Sequence, residues 1–137
     1  MSIRTSNLKS TEQAGKEDFM PKKILVIDDE PHIVKYLTTF LQDSGYETCS
    51  AANGEEGFEV LKREKPDLIT LDLQMPNETG TRFYRNMIKS KEFRDVPVIV
   101  ISGIPGRHLA VTKPVAVFEK PIDREALIAT VKNTIGE

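Results

Sequence analysis

Apolar residues recur in two alternating rhythms from residue 22 onward. Residues 24–27 (ILVI) form an unbroken apolar run, the pattern of a strand buried on both faces. Ile33, Val34, Leu37, Phe40 and Leu41 then recur at helical spacing, and Gly45 stands where a helix C-cap belongs. Residues 46–51 read as a second, weaker strand, and Asn53-Gly54 as a turn. Phe58 and Leu61 share one face of a second helix that ends before Pro66. DLITLD (67–72) is a third strand, followed by a third helix carrying Phe83, Met87 and Ile88. VPVIVIS (96–102) and VAVFEK (115–120) are the fourth and fifth strands. Asp123 caps a last helix with Leu127, Val131 and Ile135 on one stripe.

Two-sided apolar strands joined by helices imply an α/β fold with a parallel sheet and helices on both faces. Crossovers are right-handed, which leaves few topologies for five strands. The expected architecture is a flavodoxin-like, doubly wound five-stranded sheet of order 2-1-3-4-5. The connection after the fourth strand departs from this regularity. Only residues 103–114 separate Ser102 from Val115, and they include Pro105, Gly106 and Pro114. Lys113 precedes a proline and is disfavoured in helix. The fourth helix is therefore expected to be shortened or irregular.

The 137 residues suit one domain, and the first 20 are too poor in large apolar side chains to join its core. Residues 1–20 are expected to form a flexible tail and residues 21–137 the folded domain. Nineteen basic against 21 acidic side chains give a net charge of −2, which argues against nucleic acid as a partner. No apolar run reaches membrane-spanning length, the N-terminus lacks a signal-peptide core, and Cys49 has no partner cysteine. A cytoplasmic protein with no membrane attachment is expected.

The first strand ends in three adjacent acids, Asp28-Asp29-Glu30. In an open parallel sheet the carboxyl ends of the strands form the ligand edge. With strands one and three as neighbours, Asp28 and Asp29 should meet Asp72 there. Two carboxylates about 4 Å apart repel by roughly 4 kcal/mol at an effective dielectric of 20. A hard divalent cation would relieve that repulsion, and Mg2+ is typically held by carboxylates, waters and a phosphate. Ser102 and Lys120 end strands four and five on the same edge. They offer a hydroxyl and a cation to an anionic group, while Asp72, across from the acidic pair, is the candidate nucleophile.

These residues resemble the receiver domain of two-component response regulators, of the stand-alone, chemotaxis-regulator-like kind, from about residue 22 to the C-terminus. The resemblance rests on Asp28-Asp29, the DLQMPNETG stretch from Asp72 to Gly80, Ser102, Lys120-Pro121 and ANGEEGF. It implies that Asp72 is the phosphoacceptor, and that Asp29 and Asp72 bind Mg2+ directly with the backbone carbonyl of Gln74. Asp28 would hold a metal-bound water, Lys120 would contact the phosphoryl group, and Ser102 would swing toward it. The implied donor is a sensor histidine kinase or a histidine phosphotransfer protein. Output would pass through a downstream protein, a homodimer or phosphorelay, and the domain would not be an enzyme in the metabolic sense. Many receivers carry Tyr or Phe three positions before the lysine; here that residue is Val117, with Phe118 next to it and pointing the other way.

An alternative is a receiver-fold adaptor whose partner contact ignores phosphorylation, motivated by the irregular fourth helix. A phosphohydrolase on a related fold is disfavoured because Gln74 stands where a second aspartate would be. His32 and His108 have no neighbours at ligand spacing and read as surface residues, and Cys49 reads as core. KREK (62–65) and KSKEFR (89–94) read as solvated helix ends.

Overall fold

The computed structural model describes residues 21–103, 111 and 113–136. The strands are β1 (Lys23–Ile27), β2 (Glu47–Ala51), β3 (Leu68–Asp72), β4 (Val98–Ser102) and β5 (Ala116–Glu119). The helices are α1 (Pro31–Asp43), α2 (Gly54–Glu64), α3 (Thr79–Ile88) and α4 (Arg124–Ile135), with a short 3-10 turn at Pro76–Glu78. All sheet pairings are parallel and the order is β2-β1-β3-β4-β5, as the sequence pattern implies. The expected fourth crossover helix and the N-terminal tail lie outside the described residues.

Alternation along the strands builds two cores, one on each face of the sheet. Leu25 and Ile27 of β1 and Leu71 of β3 pack with Leu61 of α2 and Phe83 of α3. Ile24 and Val26, on the other face, pack with Leu37 and Leu41 of α1 and Leu127 of α4. The helices thus divide two and two across the sheet. β3 and β4 are buried along their whole length, which is why they read as continuous apolar runs.

Local chemistry explains the helix boundaries. Pro31 opens α1, where its missing N–H is harmless. Gly45 follows α1 with φ of 101°, the left-handed conformation that a helix exit favours. Asn53-Gly54 is not a free turn: Asn53 is the N-cap of α2, and its side chain accepts from Glu56 N at 2.8 Å. Glu56 in turn accepts from Ala52 N at 2.8 Å, a near relative of the reciprocal capping box. Gly54 lies so close to α3 that a Cβ would stand 1.9 Å from the Thr79 carbonyl oxygen.

KSKEFR also differs from its reading as a purely solvated end. Lys89 and Lys91 are exposed, but Phe93 is 6% exposed and belongs to the core on the α2/α3 face. β5 follows its expected alternation: Phe118 packs toward the α1/α4 core, whereas Val117 is 38% exposed on the opposite face. Cys49 is half-buried, and burial pushes its thiol up to about 11, in keeping with an unreactive packing role. His32 is exposed; His108 lies outside the described residues.

Candidate functional site

Parallel register brings the acids together. Ile27 pairs with Leu71, so Asp28 and Asp72, the next residues of β1 and β3, emerge side by side. Asp28, Asp29 and Asp72 each place a carboxylate oxygen within 4.8 Å of the others. Asp28 and Asp72 are each 2% exposed; Asp29 is the most open of the three. Ser102, the last residue of β4, is equally buried, and it pairs with Glu119, the residue before Lys120.

Lys120 is the cation of this edge. Its Nζ lies 3.4 Å from Asp28 Oδ2, 3.6 Å from Asp72 Oδ2 and 3.2 Å from Glu30 Oε1. The two buried carboxylates are anchored through their other oxygens. Asp28 Oδ1 accepts from Glu30 N at 2.9 Å, and Asp72 Oδ1 accepts from Gln74 N at 2.8 Å. Asp72 Oδ2 is buried and, among the described residues, has no hydrogen-bond partner. Lys120 sits beyond hydrogen-bond reach of it but well within Coulombic range.

This leaves Asp72 with one oxygen tied by a hydrogen bond and one held only by the charge of Lys120. Burial pushes its carboxyl up to about 6, and the charges of Asp28 and Asp29 add to the rise; the Gln74 N–H and Lys120 oppose it. Asp28 is also held above its ordinary value, mainly by burial. Burial by itself would lower the Lys120 pKa, but Asp72, Asp28 and Glu30 together outweigh it and raise it. The arrangement is a compact acidic pocket with a built-in ammonium: three aspartates against one lysine leave a net charge of −2 when all three are ionised.

The loop after Asp72 is fitted to the site. Gly80 of α3 lies against the Asp72 backbone, where a Cβ would stand 2.6 Å from the carbonyl oxygen, which accounts for glycine at this place in the motif. The Gln74 side chain reaches across to β4, and its Oε1 accepts from Gly103 N at 3.1 Å. A cleft of about 390 Å³ opens beside the acids, bordered by Asp28, Asp29, Lys35, Thr38, Ser50 and Glu56. Grooves of about 470 Å³ lie elsewhere, one between α1 and α4 and one beneath α3. The acids thus lie at an open edge rather than in a closed cavity.

The sequence reading brought Asp28, Asp29, Asp72, Ser102 and Lys120 to one edge, and the structure places them there. It missed Glu30 as a partner of Lys120. The signal was present in the third acid of the run, but its partner lies 90 positions away.

An open parallel α/β module with a carboxylate cluster and a lysine on its C-terminal edge defines a narrow class. The model of the response regulator receiver domain matches residues 24–132, and the chain belongs to that family. It is 33% identical over 117 residues to protein Rrf1 of Nitratidesulfovibrio vulgaris, covering 85% of each chain. It is 29% identical to the polar-differentiation response regulator DivK of Brucella anthropi, covering 86% of this chain and 99% of that one. The solved structure of the Vibrio cholerae chemotaxis protein CheY4 matches with a TM-score of 0.76 at 26% identity, covering 84% of this chain and 99% of that one. Among the described residues, no helix is long and apolar enough to cross a membrane.

Proposed function

We propose that this protein accepts a phosphoryl group on Asp72 from a partner histidine kinase or histidine phosphotransfer protein, in a Mg2+-dependent reaction, and signals through contacts with other proteins. The observation that carries this reading is Asp72 Oδ2: buried, without a hydrogen-bond partner among the described residues, and 3.6 Å from Lys120 Nζ. A buried carboxylate oxygen left unpaired is costly unless it has a task. Residues 21–137 act as the receiver unit, and a cytoplasmic location goes with a donor of this kind.

In the transfer, Asp72 Oδ2 attacks the phosphorus of the donor phosphohistidine. An O–P bond forms as the N–P bond breaks, and the departing imidazole nitrogen keeps the electron pair and takes up a proton. Lys120 offsets charge on the phosphoryl oxygens, and the Ser102 hydroxyl donates to one of them. The all-oxygen donor set of Asp28, Asp29 and Asp72 fits a hard divalent cation. Asp29 and Asp72 would hold Mg2+ directly with the Gln74 backbone carbonyl, and Asp28 through a water. When bound, the ion supplies charge neutralisation for in-line transfer. Such positioning serves signalling rather than metabolic turnover.

The test is intact mass after incubation with Mg2+ and a small acyl phosphate, beside Asp72→Asn. One phosphoryl adduct on wild type, absent from the variant and absent in chelator, is expected. A wild type that binds Mg2+ yet gains no adduct from acyl phosphate or phosphohistidine would overturn the reading and favour the phosphorylation-independent adaptor.

A further inference from the structure

Glu30 occupies the N-cap position of α1, yet its side chain makes no capping hydrogen bond. A carboxylate at that position ordinarily turns back to the first free N–H groups of the helix. Here it turns the other way, to Lys120 Nζ at 3.2 Å, the shortest of that ammonium's three carboxylate contacts. Its own N–H is fixed on Asp28 Oδ1, so the backbone that carries it is tied to the acidic cluster. The side chains of Asp28 and Asp72 are 2% and 1% exposed, whereas that of Glu30 is 48% exposed. Lys120 therefore bridges from the floor of the pocket to its rim.

We propose that Glu30 is a positioning residue for Lys120, holding the ammonium at the rim so that it can be drawn clear of Asp28 and Asp72 when a divalent cation enters. The ammonium and the cation compete for Asp72 directly and for Asp28 through the cation's water. Without a rim carboxylate, Lys120 has only those two as partners and opposes the incoming charge. With Glu30 it keeps a partner after leaving them. Glu30 thus favours cation binding without touching the cation. This role rests on the reading of the aspartate cluster as a Mg2+ site.

The test is Mg2+ titration calorimetry on wild type, Glu30→Gln, Lys120→Met and the double variant, at low salt and in 0.5 M NaCl. Glu30→Gln is expected to weaken Mg2+ affinity by about two- to fivefold, the range of a partly exposed ion pair. The effect should shrink at high salt, as a partly exposed pair is screened, and in the Lys120→Met background it should largely vanish, since the two residues act through each other. Glu30→Asp should recover part of the affinity. An equal loss with or without Lys120 would mean that Glu30 acts only through its general negative charge, and would overturn the role. Unchanged or tighter binding in Glu30→Gln would do the same. Failure of wild type itself to bind Mg2+ is a separate outcome: it removes the cation site, and the role with it.

Discussion

Asp72→Asn should stabilise the protein when no divalent cation is present, by an amount that grows as pH rises from 3.8 to about 6 and is constant above. The carboxyl is pushed from an ordinary 3.8 up to about 6. Because the folded value is the higher one, the fold binds this proton more tightly than the unfolded chain does. The stabilisation from holding the proton is complete below 3.8 and is lost as pH rises through about 6. A shift of that size corresponds to about 3 kcal/mol of weakening by the ionised form at pH 8. That figure already contains the opposing attraction of Lys120 at 3.6 Å, and an asparagine amide fits the site less well than the carboxylate it replaces. The net gain should therefore be about 1–3 kcal/mol at pH 8, shrinking toward zero near pH 4.

The assay is urea unfolding in chelator at both pH values, followed by far-ultraviolet circular dichroism, since the chain has no tryptophan. The midpoint should rise at pH 8 with an unchanged slope. Added Mg2+ should reverse the ranking, because wild type gains stability from binding and the variant has lost a carboxylate. A variant equally stable or less stable than wild type at pH 8, or one whose gain is the same at pH 4 and pH 8, would refute the argument.

Two further substitutions test the packing around the site. Thr70 sits inside β3, paired with Val26 and Ile99, and its buried hydroxyl has no hydrogen-bond partner among the described residues. Thr70→Val should add about 1 kcal/mol of stability, read as a melting temperature higher by roughly 4 °C; a loss would show that the hydroxyl is satisfied. Gly54→Ala should cost about 1–3 kcal/mol, because its Cβ would meet the Thr79 carbonyl at 1.9 Å. A neutral result in the same unfolding assay would mean that α2 and α3 can separate freely.

The fold was legible because each strand carries its burial in its own residues. LITLD and VIVIS are apolar enough to mark strands covered on both faces, and both are buried throughout. The helices showed their stripes, and Asp123 its cap: its side chain accepts from Ala126 N at 3.1 Å. What escaped was set mostly by contacts distant in the sequence. Asn53-Gly54 has the composition of a turn, and its helix start is a local cap that the turn reading passed over, but the closeness of Gly54 to α3 is a distant contact. Phe93 stands among charged residues, and its burial depends on the core on the α2/α3 face. The periodicity of short polar segments carries no trace of such neighbours.

The three acids at the end of β1 illustrate the same limit at the site. Read along the chain, Asp28, Asp29 and Glu30 only repel one another. In the fold their tasks separate. Asp28 is buried, tied to the Glu30 N–H and paired with Lys120; Asp29 completes the cluster with Asp72; Glu30 turns outward to Lys120. The cation that makes the run tolerable lies 90 residues on, delivered by the end of β5. Composition could locate the acids on the ligand edge, because topology sends every strand's carboxyl end there. It could not divide the labour among them, because that depends on which carboxylate a single lysine reaches. The excess of negative charge that remains is a reason to expect a cation at this edge, and Asp72 Oδ2 is the oxygen there that lacks a hydrogen bond among the described residues.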